Sequence, residues 1–282
     1  MIQSTSKRPA AACAALWLVA EMAVANTFVE DRRQQRDSSL PIFRSVGMLV
    51  HPQAGGGGTA FLVSHCHIVT AHHVAIPKGN DGAAGNIEPL PGKVGHTAEF
   101  IIGPHPAIPG TFVARTQATV VELGNFSSGT FDGMAGDWAI LRLDDCLGRK
   151  FGFLKHARPG PANTMPRGEL MTIGFPRSRA SQVGITVETG CKARDHGPVD
   201  GLIGVDCAFE AGMSGGPVLE RQSDGSWLVA GLIQQSTGGT DKLLPSYSMA
   251  YRNQVVSVTA FRKALEGVLR AEGKRVLAQR TR

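Results

Sequence analysis

The chain has few aromatic residues, no strong clustering of charge and, after its first 25 residues, no long apolar run, and each shortage excludes a class of function. No apolar stretch beyond residue 25 approaches the length of about 20 residues that a membrane-spanning helix needs. Aromatic residues make up 6% of the 282 residues, and the net charge of +6 is spread along the chain without a basic and aromatic array. We therefore expect neither stable membrane insertion nor binding to nucleic acid.

The apolar run near the N-terminus, residues 10–20, has the flanks of a secretory signal peptide. Lys7 and Arg8 precede it, and Ala23-Val24-Ala25 follows with the small residues that a signal peptidase reads. We predict cleavage of residues 1–25 and an exported protein, either periplasmic or secreted. Residues 26–40 are polar and charged, and we expect them to form a short propeptide or an N-terminal extension.

A serine lies between glycines in the segment Gly212-Met213-Ser214-Gly215-Gly216-Pro217. Glycine permits backbone angles that other residues avoid, and it leaves neighbouring backbone N–H groups unobstructed. Such a loop can present a serine oxygen together with N–H donors, which is what an acyl-transfer nucleophile and its oxyanion hole require. The alternative for this segment is an ordinary tight turn between two strands.

Histidine is absent after this serine, and the absence excludes one class of hydrolase. Residues 212–216 also fit the G-x-S-x-G nucleophile elbow of α/β-hydrolases, whose serine is followed along the chain by its acid and then by its histidine. The last histidine of this chain is His196, so an elbow would lack its base. The order of histidine, then aspartate, then serine remains available.

Two adjacent histidines follow a predicted hairpin upstream of the serine. Residues 59–63 and 68–70 are short β-branched and apolar runs, and they predict two strands joined by a turn at residues 64–67. His72 and His73 come directly after the second strand. A base should lie on a well-fixed element, so one of the two is a candidate base and the other is a bystander.

The candidate acid is Asp137, which directly precedes the apolar run of residues 138–143. A carboxylate at the start of a buried strand can be held ionised by backbone donors, and it can then orient an imidazole. The alternative is a turn-forming aspartate after Gly136. Three other aspartates compete, but none begins an apolar strand as cleanly: Asp132, Asp144 and Asp145.

Together these three segments resemble the chymotrypsin-like (trypsin-like) serine peptidases, in their bacterial exported form. Thr70-Ala71-His72-His73-Val74 is similar to the family's histidine motif, with His72 in the position of its second alanine. Asp137-Trp138-Ala139-Ile140-Leu141 is similar to the acid motif Asp-Ile-Ala-Leu-Leu. Residues 212–217 match the serine motif Gly-Asp-Ser-Gly-Gly-Pro except at Met213. The resemblance makes His73 the catalytic histidine and His72 the bystander.

The resemblance implies an all-β fold of two six-stranded antiparallel β-barrels with a C-terminal helix. We expect residues 41–150 to form the N-terminal barrel with His73 and Asp137, and residues 151–282 to form the C-terminal barrel with Ser214. Abundant glycine and short apolar runs are typical of an all-β chain. Apolar residues at helical spacing predict the terminal helix. They are Phe261, Leu265, Val268 and Leu269.

The resemblance also implies a serine endopeptidase that works through an acyl-enzyme on peptide or protein substrates. Ser214 is then the nucleophile, His73 the base and Asp137 the residue that orients it, while the N–H groups of Gly212 and Ser214 form the oxyanion hole. No cofactor is expected, and the protein is expected to be a monomer. The alternatives are a catalytically silent binding protein of the same fold and a structural or adhesive β-protein with a coincidental glycine loop.

Met213 stands where the animal digestive members of this family carry an aspartate, which pairs with a new N-terminus after zymogen cleavage. A methionine cannot form that ion pair. The sequence therefore predicts an oxyanion hole that forms without such a pair.

The substrate pocket is less readable from the sequence. Ala208 lies six residues before Ser214, where trypsin carries the aspartate that selects basic side chains, and an apolar floor would give a substrate cation no partner. Glutamyl endopeptidases of this fold use a histidine on the strand after the serine loop, and residues 229–236 contain none. We expect a small or uncharged substrate side chain. Three polar residues are predicted to line the cleft as an edge for main-chain pairing, unless they show ordinary strand polarity: Gln234, Gln235 and Ser236.

Four cysteines remain after export, and they allow three pairings in an oxidising compartment. Cys66 lies at the turn of the histidine hairpin and Cys146 lies just past the Asp137 strand, and these segments must meet if the triad forms. Cys191 and Cys207 bracket a segment that leads into the serine loop. We therefore favour Cys66–Cys146 and Cys191–Cys207. No metal site is predicted, because the cysteine and histidines of residues 65–73 match no standard zinc spacing.

Overall fold

The protein is described here by a computed structural model, which is organised as β-strands in two sheets with a long C-terminal helix. It describes residues 27–28, 31–52, 56–76, 94–104, 112–157, 165–179, 184–236, 244 and 246–280. The predicted signal peptide, residues 1–25, lies outside these ranges. The predicted all-β fold with a terminal helix is confirmed.

The first sheet is a closed six-stranded barrel with the strand order β2-β3-β4-β7-β6-β5. In some of its strands apolar and polar residues alternate, and in others nearly every residue is apolar. In both cases the side chains that point inward fill the barrel. Phe61, Phe100 and Leu141 are among the side chains that lie fully buried in this core. The strands are β2 (Val46–Val50), β3 (Gly57–Leu62), β4 (His67–Thr70), β5 (Thr97–Pro104), β6 (Phe112–Leu123) and β7 (Ala139–Leu143).

The second sheet has eight strands in the order β1-β9-β8-β12-β13-β14-β11-β10. It is larger than the six strands expected, because β1 is added at one end and β10 at the other. Strand β1 lies within residues 26–40, the segment for which the sequence predicts a short propeptide or an N-terminal extension. The strands are β1 (Gln34–Arg36), β8 (Leu170–Gly174), β9 (Ile185–Cys191), β10 (Ala193–His196), β11 (Leu202–Val205), β12 (Pro217–Arg221), β13 (Trp227–Ser236) and β14 (Asn253–Ser257).

Among the described residues, three α-helices are about one turn long and one is much longer. They are α1 (His72–Ala75), α2 (Phe131–Ala135), α3 (Gly148–Phe151) and α4 (Val258–Arg280). Phe261 and Leu265 of α4 are fully buried, as their spacing predicts. Further along, Glu272 Oε2 lies 3.2 Å from His67 Nδ1, which ties α4 to the first barrel. Within the described residues, no helix has the length and apolar character needed to cross a membrane.

Two disulfides hold segments that lie near the candidate site. Cys66 is bonded to Cys146, which joins the turn between β3 and β4 to the segment after β7. Cys191 is bonded to Cys207, which joins the end of β9 to the approach to the serine loop. These are the two pairings that the sequence favoured. Cross-links of this kind typically stabilise a fold by about 2 to 4 kcal/mol each.

Candidate active site

His73 and Asp137 meet because their strands are neighbours. Strands β4 and β7 pair antiparallel with Thr70 opposite Ala139, so the residues just after β4 lie beside those just before β7. Asp137 Oδ2 lies 2.7 Å from His73 Nδ1, and Asp137 Oδ1 accepts the His73 backbone N–H at 3.0 Å. Asp137 is fully buried, whereas His73 keeps 16% of its side chain exposed. The carboxylate therefore fixes both the backbone and the ring of one histidine.

The neighbouring His72 faces another partner. Its Nδ1 lies 2.9 Å from the backbone oxygen of Gly124, and its ring is buried. Burial lowers the pKa of His72, and this outweighs the opposing influence of the Gly124 carbonyl and of the Asp137 charge. His72 is thus a buried histidine held by a backbone carbonyl, and the structure places His73 rather than His72 against the aspartate.

Ser214 lies on a turn with two backbone conformations that favour glycine. Gly212 has φ +96° and Gly215 has φ +82°, both in the left-handed region. A Cβ atom at position 215 would collide with the Thr70 hydroxyl and the Thr59 carbonyl oxygen. Gly215 therefore lets the serine loop approach β3 and the end of β4, the strand that leads to His73.

The Ser214 hydroxyl is engaged by the strand behind it. Its Oγ donates to the backbone oxygen of Gln234 at 3.1 Å, and Ser214 is 8% exposed. Within the described residues, no hydrogen bond joins Ser214 to His73. Hydrogen bonds between catalytic groups are often long before substrate binds, so this geometry is compatible with a nucleophile and base that engage later.

Two backbone N–H groups of the loop are left available to a ligand. The oxygen of Ala211 accepts from Arg177 N at 2.8 Å, and the oxygen of Met213 accepts from Gly216 N at 2.9 Å. In a trans peptide the carbonyl and the following N–H point in opposite directions, and the described chain has no cis peptide. Because Arg177 N and Gly216 N hold these two carbonyls, the N–H groups of Gly212 and Ser214 point away from Arg177 and Gly216. Neither donates to an acceptor in the part of the chain that the structure describes.

Thr59 on β3 clamps the serine loop to the first barrel, a role that the sequence did not reveal. Its N–H donates to the oxygen of Ser214 at 2.9 Å, and its Oγ1 donates to the oxygen of Gly212 at 2.8 Å. The same Oγ1 accepts from Phe175 N at 3.1 Å, and Thr59 is fully buried. The only signal in the sequence is a hydroxyl residue within an otherwise apolar strand.

The residues predicted for the substrate pocket are placed in different settings. Ala208 is buried and packs in one apolar cluster with Phe28 and Leu244. Gln234 contributes its carbonyl oxygen to Ser214, while its side-chain amide is fully buried and has no partner among the described atoms. The side chains of Gln235 and Ser236 lie outside the part of the structure that is described.

One group of metal-ligand types occurs among the described residues, formed by Cys191, Asp206 and Cys207. The two cysteines are bonded to each other, so neither offers a thiolate. Asp206 accepts from Lys192 N at 2.6 Å and pairs with Arg194. The cysteines are therefore occupied by the disulfide, and Asp206 by a backbone N–H and one guanidinium.

A buried carboxylate lies against the segment that carries Ala208. Glu188 on β9 has 1% of its side chain exposed, and its Oε2 accepts from Ala208 N at 2.7 Å. Its Oε1 lies 3.3 Å from Arg32 Nε, whose side chain is 43% exposed. Burial raises the pKa of Glu188 from 4.5 to about 7, because these donors compensate only part of the lost hydration.

This burial predicts a protein that becomes less stable as the pH rises. Between pH 4.5 and about 7 the folded state binds more protons at Glu188 than the unfolded state, so the free energy of unfolding falls across this window. The whole effect should reach at most about 3 kcal/mol. The Glu188→Gln variant should lose this contribution and should exceed the wild type in stability at pH 8. Urea denaturation at pH 5 and pH 8 measures it.

The matched control for that experiment is Glu122→Gln, which changes the same charge at an exposed position. Glu122→Gln should retain the pH dependence of the wild type. If Glu188→Gln also retained the pH dependence of the wild type, the buried carboxylate would not be the source of that dependence.

Comparisons with known proteins add two findings. The family model described as "Trypsin-like peptidase domain" matches residues 58–230, which is more than half of the chain. The solved structure titled "Structure of Glu endopeptidase in complex with MPD" is similar in fold, with a TM-score of 0.59 and 14% identity. The match covers 86% of this chain and 98% of that chain. No curated protein matches the sequence.

Proposed function

Because the chain belongs to the family of trypsin-like peptidases, we propose that it is a serine endopeptidase that hydrolyses peptide bonds through an acyl-enzyme. The observation that carries the proposal is the buried Asp137 bound to the ring of His73, together with a serine on a glycine turn that packs against Thr59 and Thr70 of the same barrel. The similarity in fold to a solved endopeptidase supports the architecture, and the arrangement of these side chains supports the chemistry.

In the proposed mechanism, His73 acts through Nε2, since Asp137 engages Nδ1. An ionised carboxylate only accepts hydrogen bonds, so it holds the imidazole in the tautomer with its proton on Nδ1. Ser214 Oγ leaves the Gln234 carbonyl and attacks the substrate carbonyl carbon, while His73 takes the hydroxyl proton. His73 then gives that proton to the leaving amine, and water repeats the sequence on the acyl-enzyme.

The negative charge that develops on the substrate oxygen is received by the N–H groups of Gly212 and Ser214. Their peptides are anchored by Arg177 and Gly216 before substrate arrives, so little reorganisation is needed at the moment of reaction. Such preorganised donors typically contribute the largest single share of catalysis in acyl transfer.

The second candidate is a binding protein of the same fold that does not turn over. It is favoured by one observation, the hydrogen bond from Ser214 Oγ to Gln234 rather than to His73. In such a protein the hydroxyl would stay on the carbonyl when a peptide binds, and the serine would not be activated.

We further propose a pocket for small or uncharged side chains, since Ala208 offers no charge to a substrate cation. The two disulfides fit an oxidising compartment, and we propose that the protein is exported to the periplasm or beyond and acts as a monomer.

Peptide phosphonates that differ only in the side chain at the reactive residue test both proposals. The purified protein should form one covalent adduct, located on Ser214 by mass spectrometry of its peptides. Alanine and valine probes should react faster than lysine and glutamate probes. An absence of any adduct on Ser214 would favour the binding protein, whereas a fastest reaction with lysine or glutamate would contradict only the pocket.

A further inference from the structure

A buried cation on the N-terminal side of the second sheet reaches the serine loop. Arg33 belongs to residues 31–36, here called the N-terminal arm, whose strand β1 pairs antiparallel with β9. Arg33 is 8% exposed, and its Nε and Nη2 lie 2.8 Å from the two carboxylate oxygens of Asp31. Its Nη1 donates to Glu210 Oε2 at 3.0 Å. A charge at this depth persists only when it is paired, so these contacts are required for the arm to lie where it does.

Glu210 connects the arm to the segment that holds the loop. Its Oε1 accepts from Ser178 N at 2.8 Å, while Oε2 accepts from Arg33. The residue before Ser178 is Arg177, whose N–H donates to the oxygen of Ala211 at 2.8 Å. The Ala211 carbonyl belongs to the same peptide as the Gly212 N–H. These hydrogen bonds, together with the covalent link between residues 177 and 178, therefore connect Arg33 to the peptide that contains this donor.

The set is charged at neutral pH. Burial alone would raise the pKa of Glu210, but the hydrogen bonds from Ser178 and the charge of Arg33 outweigh it and hold that pKa below its ordinary value. Arg33 Nη1 also lies 3.9 Å from the sulfur of Met213, which is fully buried. The guanidinium thus contacts both ends of the turn from residue 210 to residue 213.

We propose that Arg33 is a positioning residue for the oxyanion hole, and that the N-terminal arm is a permanent part of the active protein rather than a removable propeptide. The inference rests on the proposed peptidase function. Arg33 holds Glu210, Glu210 holds residues 177–178, and these residues fix the peptide that aims the Gly212 N–H. Loss of Arg33 leaves the triad in place and loosens one of the two oxyanion donors.

The test compares Arg33→Gln with Arg36→Gln in the full exported protein. Both variants remove one positive charge from the arm, but the Arg36 side chain is exposed and, among the described residues, bonds only to the side chain of Gln34 on the same strand. Arg33→Gln should lower kcat for a peptide ester about tenfold or more with little change in KM, because the oxyanion exists only after substrate is bound. The loss should stay below the roughly 100- to 1,000-fold that follows complete removal of a donor. Arg36→Gln should match the wild type.

A second measurement separates positioning from general stability. A peptide aldehyde forms a tetrahedral adduct with an oxyanion, so its affinity for Arg33→Gln should fall by the same factor as kcat/KM. Arg33→Lys retains the charge and should recover part of both values. If Arg33→Gln does not fold, Glu210→Gln carries the same expectation, because it retains an acceptor for Ser178 and loses the charge that faces Arg33.

Two results would overturn the inference while leaving the proposed function intact. One is a folded Arg33→Gln protein with the kcat and aldehyde affinity of Arg36→Gln. The other is an active exported protein whose measured mass shows that it begins beyond residue 36. A wild-type protein without esterase or peptidase activity would instead overturn the proposed function, and the inference with it.

Discussion

Replacement of Ser214 by alanine should lower kcat for a peptide ester by about a million-fold. The loss should be this large because, in the proposed mechanism, the hydroxyl oxygen is the atom that bonds to substrate, and the remaining groups then work without a nucleophile. The fold should survive, since the one hydrogen bond that Ser214 Oγ makes within the described residues is to Gln234. Steady-state hydrolysis of the ester by Ser214→Ala and wild type, purified side by side, measures the effect.

Ser226→Ala is a suitable control for that comparison, since Ser226 is an exposed serine whose Oγ bonds to Asp224. It should hydrolyse the ester at the rate of the wild type. Equal rates for Ser214→Ala and wild type would remove Ser214 from the chemistry and would leave the binding protein as the better candidate.

Asp137→Asn should lower kcat/KM by about 10,000-fold at neutral pH with little change in shape. Asp137 uses both carboxylate oxygens on His73, one for its backbone N–H and one for its ring. An asparagine has one oxygen to offer. If that oxygen stays on the backbone N–H, the amide group faces Nδ1, and the ring must place its proton on Nε2. That tautomer cannot accept the Ser214 proton.

Asp132→Asn provides the same chemical change at an exposed aspartate that the sequence left as a competitor. It should retain full activity, and the rate of phosphonate labelling should follow kcat/KM in both variants. A variant of Asp137 that kept activity within tenfold of the wild type would show that His73 does not depend on this carboxylate.

The sequence predicts the parts of the candidate site whose residues are neighbours along the chain. His73 after a hairpin, Asp137 before a buried strand and Ser214 within glycines each leave a local pattern, because each chemical role needs a particular local backbone. The paired cysteines follow from those placements, since they lie on the same segments. Secondary structure then brings the segments together through the pairing of β4 with β7.

The contacts that hold the site in place could not be predicted in this way. Thr59 and Gly212 are 153 residues apart along the chain, and Arg33 and Glu210 are 177 apart. Arg33 lies in a polar stretch that has the composition of a solvated extension, and nothing in its neighbours indicates that it is buried. A buried cation is recognised only when its partners are known, and those partners come from distant segments.

The hydrogen bonds of Thr59 connect the first barrel to the serine loop of the second sheet, so the candidate site lies where these two parts of the molecule meet. In the proposed mechanism the base and the acid come from the first barrel and the nucleophile comes from the second sheet, so activity requires that the two sheets keep their relative position. Loss of activity on heating would therefore measure the separation of the barrel from the second sheet, whereas circular dichroism would measure the unfolding of their strands. If these contacts are weaker than the sheets that they join, activity will be lost at a lower temperature than the circular dichroism signal.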